Sequence, residues 1–362
     1  MSPVMAFLAR RLLFVPITLL VITAVLYAIA MLAPPERRAF LYLPPKTDPF
    51  EVVPEGPLIQ GLIEKHHLRD PFPVQYLDWL GRLLQGDWGW SVGAKQPVLP
   101  YLLARTPVTM ELLLYSTLLF IPVGLLTGVL AAARRGRRLD HGMQLVAFVG
   151  TSIPVFVMAI IMLSLFYVGL QWFPLDRISD ATKADMRQMN FQYHTGLLTI
   201  DGLFNGRPDI TLEALHHLAL PALVLAVAQW ATLSRITRTS VLEEIDRDYI
   251  TVAHAKGLKG RQVVWGHATR NALVPILTVS ALSAAALVSN LYLVEVLFNL
   301  HGVSDIFLLT TAQASSTFRT FDPAPALGFA IYTVVLVLSI MLALDVLQAL
   351  VDPRLRERLK DQ

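Results

Sequence analysis

The chain has 362 residues, 54% of them apolar and only 16% charged, with a formal net charge of +3 and no cysteine. Soluble proteins carry roughly a quarter charged residues, so this balance names the bilayer as the solvent and excludes an ordinary soluble domain. Disulfide frameworks and thiolate metal sites are excluded too, and the small positive surplus gives no reason to expect nucleic acid as a partner.

The first apolar run follows Arg10 and Arg11 and contains Ala28-Ile29-Ala30, which imitates a signal-peptidase site. Its length of about 22 residues exceeds the 7 to 15 of a signal core, so it reads as an uncleaved anchor. Six stretches reach the roughly 20 residues that a helix needs to cross hydrocarbon, at about 8–33, 108–133, 142–170, 217–236, 272–296 and 326–350. The expected fold is an all-α polytopic membrane protein with six transmembrane helices.

Between the first two spans, 34–106 reads as an external loop. Pro34 to Pro57 is proline-rich and extended, whereas Leu58, Ile59, Leu62 and Ile63, and then Val74, Leu77, Leu80 and Leu84 with Trp79, repeat at helical spacing. These are expected to be amphipathic helices along the outer bilayer surface, in contact with membrane lipids. A second external loop, 171–215, carries no recognisable pattern over 176–195. Short segments dense in positive charge mark the other face: Arg10 and Arg11, then Arg134, Arg135, Arg137 and Arg138, the 237–270 loop, and the tail Arg354, Arg356, Arg358 and Lys360. By the positive-inside rule both termini are expected in the cytoplasm.

The 237–270 segment is the most informative. It contains Asp248-Tyr249-Ile250-Thr251-Val252-Ala253-His254-Ala255-Lys256-Gly257-Leu258 and then His267-Ala268-Thr269-Arg270-Asn271-Ala272-Leu273-Val274-Pro275. Ile245, Tyr249 and Val252 fall on one helical stripe, Ala253 and Ala255 keep the adjoining surface thin, and Gly257 supplies a left-handed stop. A helix from about Ile245 to Lys256 is expected, small-faced and suited to a cleft in another protein.

Those two runs, with Glu295-Val296-Leu297-Phe298 followed by His301-Gly302, resemble the permease subunits of binding-protein-dependent ABC importers in the dipeptide, oligopeptide and nickel branch. The likeness extends to Arg10-Arg11-Leu12-Leu13, Leu68-Arg69-Asp70-Pro71, Gly86-Asp87-Trp88-Gly89-Trp90-Ser91, Ile153-Pro154-Val155-Phe156, His217-Leu218-Ala219-Leu220-Pro221 and Asp352-Pro353-Arg354. His301 stands where the family has proline. The resemblance implies an ABC importer type I permease fold, with no catalytic residue and no cofactor in this chain. ATP and magnesium would belong to two cytoplasmic ATP-binding subunits, cargo would come from an extracytoplasmic solute-binding protein, and a second homologous permease would complete the path. The docking residues it implies are Ile245, Tyr249, Val252, Ala253, Ala255, Lys256, Gly257 and Leu258. No G-x-x-x-x-G-K-[ST] phosphate loop exists here, so the energy source lies elsewhere.

Other polar residues in the spans read two ways. Gln229, Ser283 and Asn290, with Thr109, Ser116, Ser152 and Ser289, either line a path for a polar solute or bond helix to helix. Glu111, Glu295 and Asp345 read as structural pairs or helix-end charges ahead of a proton relay. The pairs His66-His67 and His216-His217 diverge by about 100° on a helix and poorly suit one metal ion. A secondary transporter or channel working without ATPases, or a scaffold that anchors a cytoplasmic partner, are the alternative functions.

Overall fold

The computed structural model describes residues 3–42, 55–91, 93–312 and 323–351. The tail arginines 354, 356 and 358, Lys360, the Asp352-Pro353-Arg354 run and 43–54 of the proline-rich loop lie outside the described residues, as do the side chains of Arg10, Arg11 and Asp345. The chain begins with α1 (Pro3–Ala30) and α2 (Pro35–Arg38), then a 3-10 turn, α3 (Glu55–Lys65), α4 (Phe72–Leu84) and the short antiparallel pair β1 (Trp90–Ser91) and β2 (Gln96–Pro97). Next come α5 (Val98–Ala133), α6 (Arg138–Ser152), α7 (Val155–Met162) prolonged by a π turn at Leu163–Gly169, α8 (Asp180–Gln188), α9 (Leu198–Phe204) and α10 (Pro208–Ile245). After α11 (Asp248–Ala255), α12 (Gly260–Gln262) and a second π turn at Val263–Ala268 stand α13 (Thr269–Leu297), α14 (Asp305–Ala312) and α15 (Pro323–Val351).

Among the described residues five helical stretches are long and apolar enough to cross a membrane: Leu13–Ala30, Val98–Ala133, Pro208–Ile245, Gly260–Leu297 and Pro323–Ala343. A sixth exists only if α6 and α7 count as one, and these are bent by 102°. The span expected over 142–170 is therefore broken, and of the two readings of Pro154, a kink or a packing role, the kink is the one seen. Pro154 disfavours helical backbone in the residue before it, and Ile153 is accordingly extended at φ −91°, ψ 122°.

The chain divides into two compact units. The first comprises 1–107 and 301–339. There Tyr27 of α1 packs against Phe72, Tyr76 and Trp79 of α4, closest to Trp79 at 4.9 Å between ring centroids. Tyr76 shares a 2.9 Å hydrogen bond with Thr23. Thus α4 buries its aromatic face on α1 and leaves Val74, Leu77 and Leu84 exposed. Leu13, Phe14, Ile17, Leu20, Val21, Val25 and Ile29 of α1 are each more than half exposed, an apolar surface suited to lipid or another helix and not to water.

The second unit comprises 108–300 and 340–362, and α10 is its axis, packed on α6, α9 and α13. A Cβ on Gly128 would lie 2.5 Å from Thr237 Cβ and 2.6 Å from the Ser234 carbonyl, and one on Gly124 would lie 2.9 Å from Leu233. The Gly124-x-x-x-Gly128 spacing lets Leu233, Thr237 and the Ser234 carbonyl of α10 lie directly on the α5 backbone, as small residues allow in membrane helix pairs. Trp230 Nε1 donates to Thr127 Oγ1 at 2.9 Å, and that hydroxyl donates to Ser234 at 2.9 Å, closing the crossing with polar bonds.

The 171–215 loop is more ordered than its sequence suggested. Ile178, Met186, Leu198, Ile210 and Ala214 form a small core with Phe191 packed against it. Ser179 caps α8 by accepting from Thr182 N, and Asp201 accepts from the amides of Thr195 and Gly196 at 2.8 Å. This cap is tied to α5 by Glu111, which is fully buried. Its Oε2 accepts from Arg177 at 2.5 Å, and its Oε1 accepts from Thr199 N at 2.8 Å and Thr199 Oγ1 at 2.7 Å.

Candidate functional site

The segment after α10 folds as a short helix held at both ends. Helix α10 runs to Ile245, and Asp246 and Arg247 turn the chain with Asp246 N donating to Leu242 O and Arg247 N to Glu244 O. Arg247 is extended at φ −86°, ψ 150°, and α11 starts with Asp248 in its first turn, where a carboxylate complements the helix dipole. Tyr249 donates to Glu244 Oε2 at 2.6 Å, bracing α11 against the last turn of α10.

The far end is a Schellman stop. Gly257 has φ +79°, its amide donates to His254 O at 2.9 Å, and Leu258 N donates to Ala253 O at 3.3 Å. Lys259 then opens α12, with Gln262 reaching back to accept from its amide at 3.1 Å. The following π turn carries a hydrogen bond from Thr269 Oγ1 to Val264 O at 2.8 Å and leads without a break into α13.

Helix α11 packs on that π turn. Ile250 and Ala253 are buried on one side, as are Val263 and Ala268 of the turn. Tyr249, Val252, Ala255 and Lys256 face outward and are exposed, Val252 by 52%, while Leu258 is half-buried. Two expectations are corrected here. The helix spans Asp248–Ala255 and not Ile245 to Lys256, because Ile245 closes α10 and the Asp246-Arg247 turn separates them. Ala253 is not outer surface: its small side chain lets α11 lie close on the chain's own π turn, and Ala255 alone of the two alanines is presented outward.

The loop's surroundings are ionic. Arg238 of α10 grips Asp140 of α6 with two bonds, 2.6 Å to Oδ1 and 2.9 Å to Oδ2, and Asp140 also accepts from Gly136 N and Gln144. Arg135 reaches Asp246 at 3.4 Å, an exposed pair worth at most about 1 kcal/mol. The buried fork at Asp140 fixes where α10 ends relative to α6. Sequence reading passed over it because an Arg and an Asp about a hundred positions apart give no local signal.

The path residues are less concentrated. Ser283 is buried on α13, whereas Gln229 on α10 and Asn290 on α13 are half-buried. Ser116 and Ser152 are absorbed by their own helices, donating to Leu112 O at 2.7 Å and Phe148 O at 2.8 Å. The polar glue is instead Thr127, Trp230 and Ser234, which the Gly-x-x-x-Gly spacing could have located. Glu295 is fully buried near the C-terminal end of α13. His66 lies beside Asp78 and His217 against the Leu175 carbonyl, and among the described residues no group of three His, Asp or Glu is placed to hold a metal ion.

The family model described as binding-protein-dependent transport system inner membrane component matches residues 124–357. The oligopeptide transport system permease protein AppB of Bacillus subtilis (strain 168) is 35% identical over 297 residues, 82% of this chain and 84% of that one. The di/tripeptide transport system permease protein DppB of Pseudomonas aeruginosa (strain UCBPP-PA14) is 32% identical over 355 residues, covering 98% and 99%. The dipeptide transport system permease protein DppB of Escherichia coli (strain K12) is 31% identical over 298 residues, covering 82% and 85%.

Proposed function

Because the chain belongs to the inner-membrane components of binding-protein-dependent transport systems, the multi-pass permeases that serve ABC importers alongside ATPase and binding-protein partners, we propose that it forms half of a translocation path for peptides. The cargo class is supported by the names of its relatives. The other half is a second, homologous permease, and two ATP-binding subunits carrying ATP and magnesium sit beneath the pair. The basic segments, and with them both termini, lie on the cytoplasmic side.

The observation that carries the reading is the outward stripe of α11. Tyr249, Val252, Ala255 and Lys256 are offered on a helix braced by Glu244, stopped by Gly257 and backed by the π turn. A peg so fixed transmits a push to α10 and α13 in place of yielding to it. Covering the exposed half of Val252 contributes about 1 kcal/mol to docking, so many small contacts share the work. When the ATPases close, the peg moves and the spans rock between openings.

The test is Val252→Asp beside Gly257→Ala in the assembled transporter. The aspartate places a charge in the docking face and should cut co-purification of the ATPase and uptake at least tenfold with membrane insertion unchanged. The alanine strains a left-handed site by about 1 to 2 kcal/mol and should give a partial loss. Wild-type uptake and wild-type ATPase recovery with Val252→Asp would rule out α11 as the docking element.

A further inference from the structure

A cleft of about 340 Å³ lies between α5, α6 and α10, lined on its apolar side by Ala131, Met143, Leu145 and Phe148. Leu145 and Phe148 are 63% and 68% exposed, as side chains meant for lipid are. The polar side brings Gln144, Thr151, Ser234, Arg235 and Arg238 to the same space.

The two arginines differ. Arg238 is neutralised by the two-bond grip on Asp140. Arg235, nearly one turn earlier on α10, is exposed, and among the described residues its guanidinium has no hydrogen-bond or ion-pair partner. Five donors on the lip of an oily cleft are matched by a planar or tetrahedral oxyanion. The nearby α5–α6 connection adds Arg134, Arg137 and Arg138, all exposed and without an ion pair among the described residues, so the local field is positive. Asp140 and Asp246 are already engaged, by Arg238 and Arg135.

We infer that this cleft is a site for an anionic phospholipid of the inner leaflet, with its phosphate on Arg235 and an acyl chain along Leu145 and Phe148. Basic pockets between membrane helices on the cytoplasmic side recognise such headgroups, and the exposed apolar wall favours a lipid over a free solute anion. The assignment rests on the cytoplasmic placement of this end of α10 given under the proposed function.

The experiment uses the assembled transporter in detergent, with dioctanoyl phosphatidylglycerol and dioctanoyl phosphatidylcholine as probes and native mass spectrometry as the readout. Wild type should retain the glycerol lipid in preference to the choline lipid. Arg235→Ala should lower its retention about tenfold, the size of one charge-assisted contact, and Arg235→Lys should recover part of it. Arg187→Ala, on the cap, should change nothing. Equal retention of the two lipids, or unchanged retention in Arg235→Ala, would overturn the site. So would shielding of Leu145→Cys from a lipid-soluble maleimide by a second permease subunit. ATPase recovery measured in the same samples separates failure of this site from failure of the docking reading.

Discussion

Replacing Glu111 with alanine isolates the bond that keys the 171–215 cap to a span. The substitution removes the acceptor of Arg177 Nη2 at 2.5 Å and of Thr199 N and Oγ1 at 2.8 and 2.7 Å, and leaves a guanidinium only 16% exposed without its counter-charge. Breaking a buried ion pair from one side costs about 3 to 5 kcal/mol. Arg177 keeps some solvent and a 3.3 Å bond to Gly196 O, which puts the loss near the lower bound, about 3 kcal/mol. At 1.4 kcal/mol per factor of ten, the open form of the cap should rise about 100-fold. Trypsin reports that population when reclosing outpaces cleavage. Cleavage after Arg187 of α8 in the detergent-solubilised protein should therefore accelerate about 100-fold in Glu111→Ala. Glu111→Gln retains an acceptor for Thr199 and should accelerate it about tenfold. A rate for the alanine variant within threefold of wild type would refute the argument that this carboxylate holds the cap shut.

Two further outcomes follow from charges elsewhere. Arg238→Ala leaves Asp140 buried without its fork and should destabilise the α6–α10 junction by about 3 kcal/mol, read as a lowered aggregation temperature in detergent, with Arg238→Lys intermediate because an ammonium cannot make the two-bond fork. His66 faces Asp78, Arg82 and Lys65 and stacks on Tyr42; burial, with the Arg82 charge, holds its pKa below 6.5 despite the pull of Asp78. The fold thus prefers neutral imidazole, so stability is whole above pH 6.5 and declines as pH falls through the depressed folded pKa. Acid-induced exposure of the α3–α4 region, followed by hydrogen exchange, should be delayed in His66→Gln.

The spans were legible because long apolar runs have one solution in a bilayer, yet their ends were not. Helix α5 begins at Val98 and α10 covers Pro208–Ile245, where hydropathy marks only 108–133 and 217–236. A helix continues past the oil as long as its backbone bonds do, and hydropathy reads only the oily part. The break at Pro154 was visible as a proline and invisible as a 102° bend, since the angle depends on what each half packs against. Helices α8 and α9 escaped notice because they are short and polar and owe their order to a core assembled from Ile178, Met186, Leu198, Ile210 and Ala214. In the 237–270 loop a short helix was legible in the sequence, and so was its stop at Gly257. Which side of α11 faces outward depends on the π turn at Val263–Ala268, whose wide spacing no periodicity announces.

The crossing at Gly124 and Gly128 has a mechanical consequence. Side chains between helices act as a compliant gasket that absorbs small strokes by changing rotamer. At Gly124 the α5 backbone meets the Leu233 side chain, and at Gly128 it meets Thr237 and the Ser234 carbonyl, so α10 alone supplies side chains to this joint. A displacement of α10 would therefore reach α5 through one layer of side chains, a stiffer joint than two interleaved layers make.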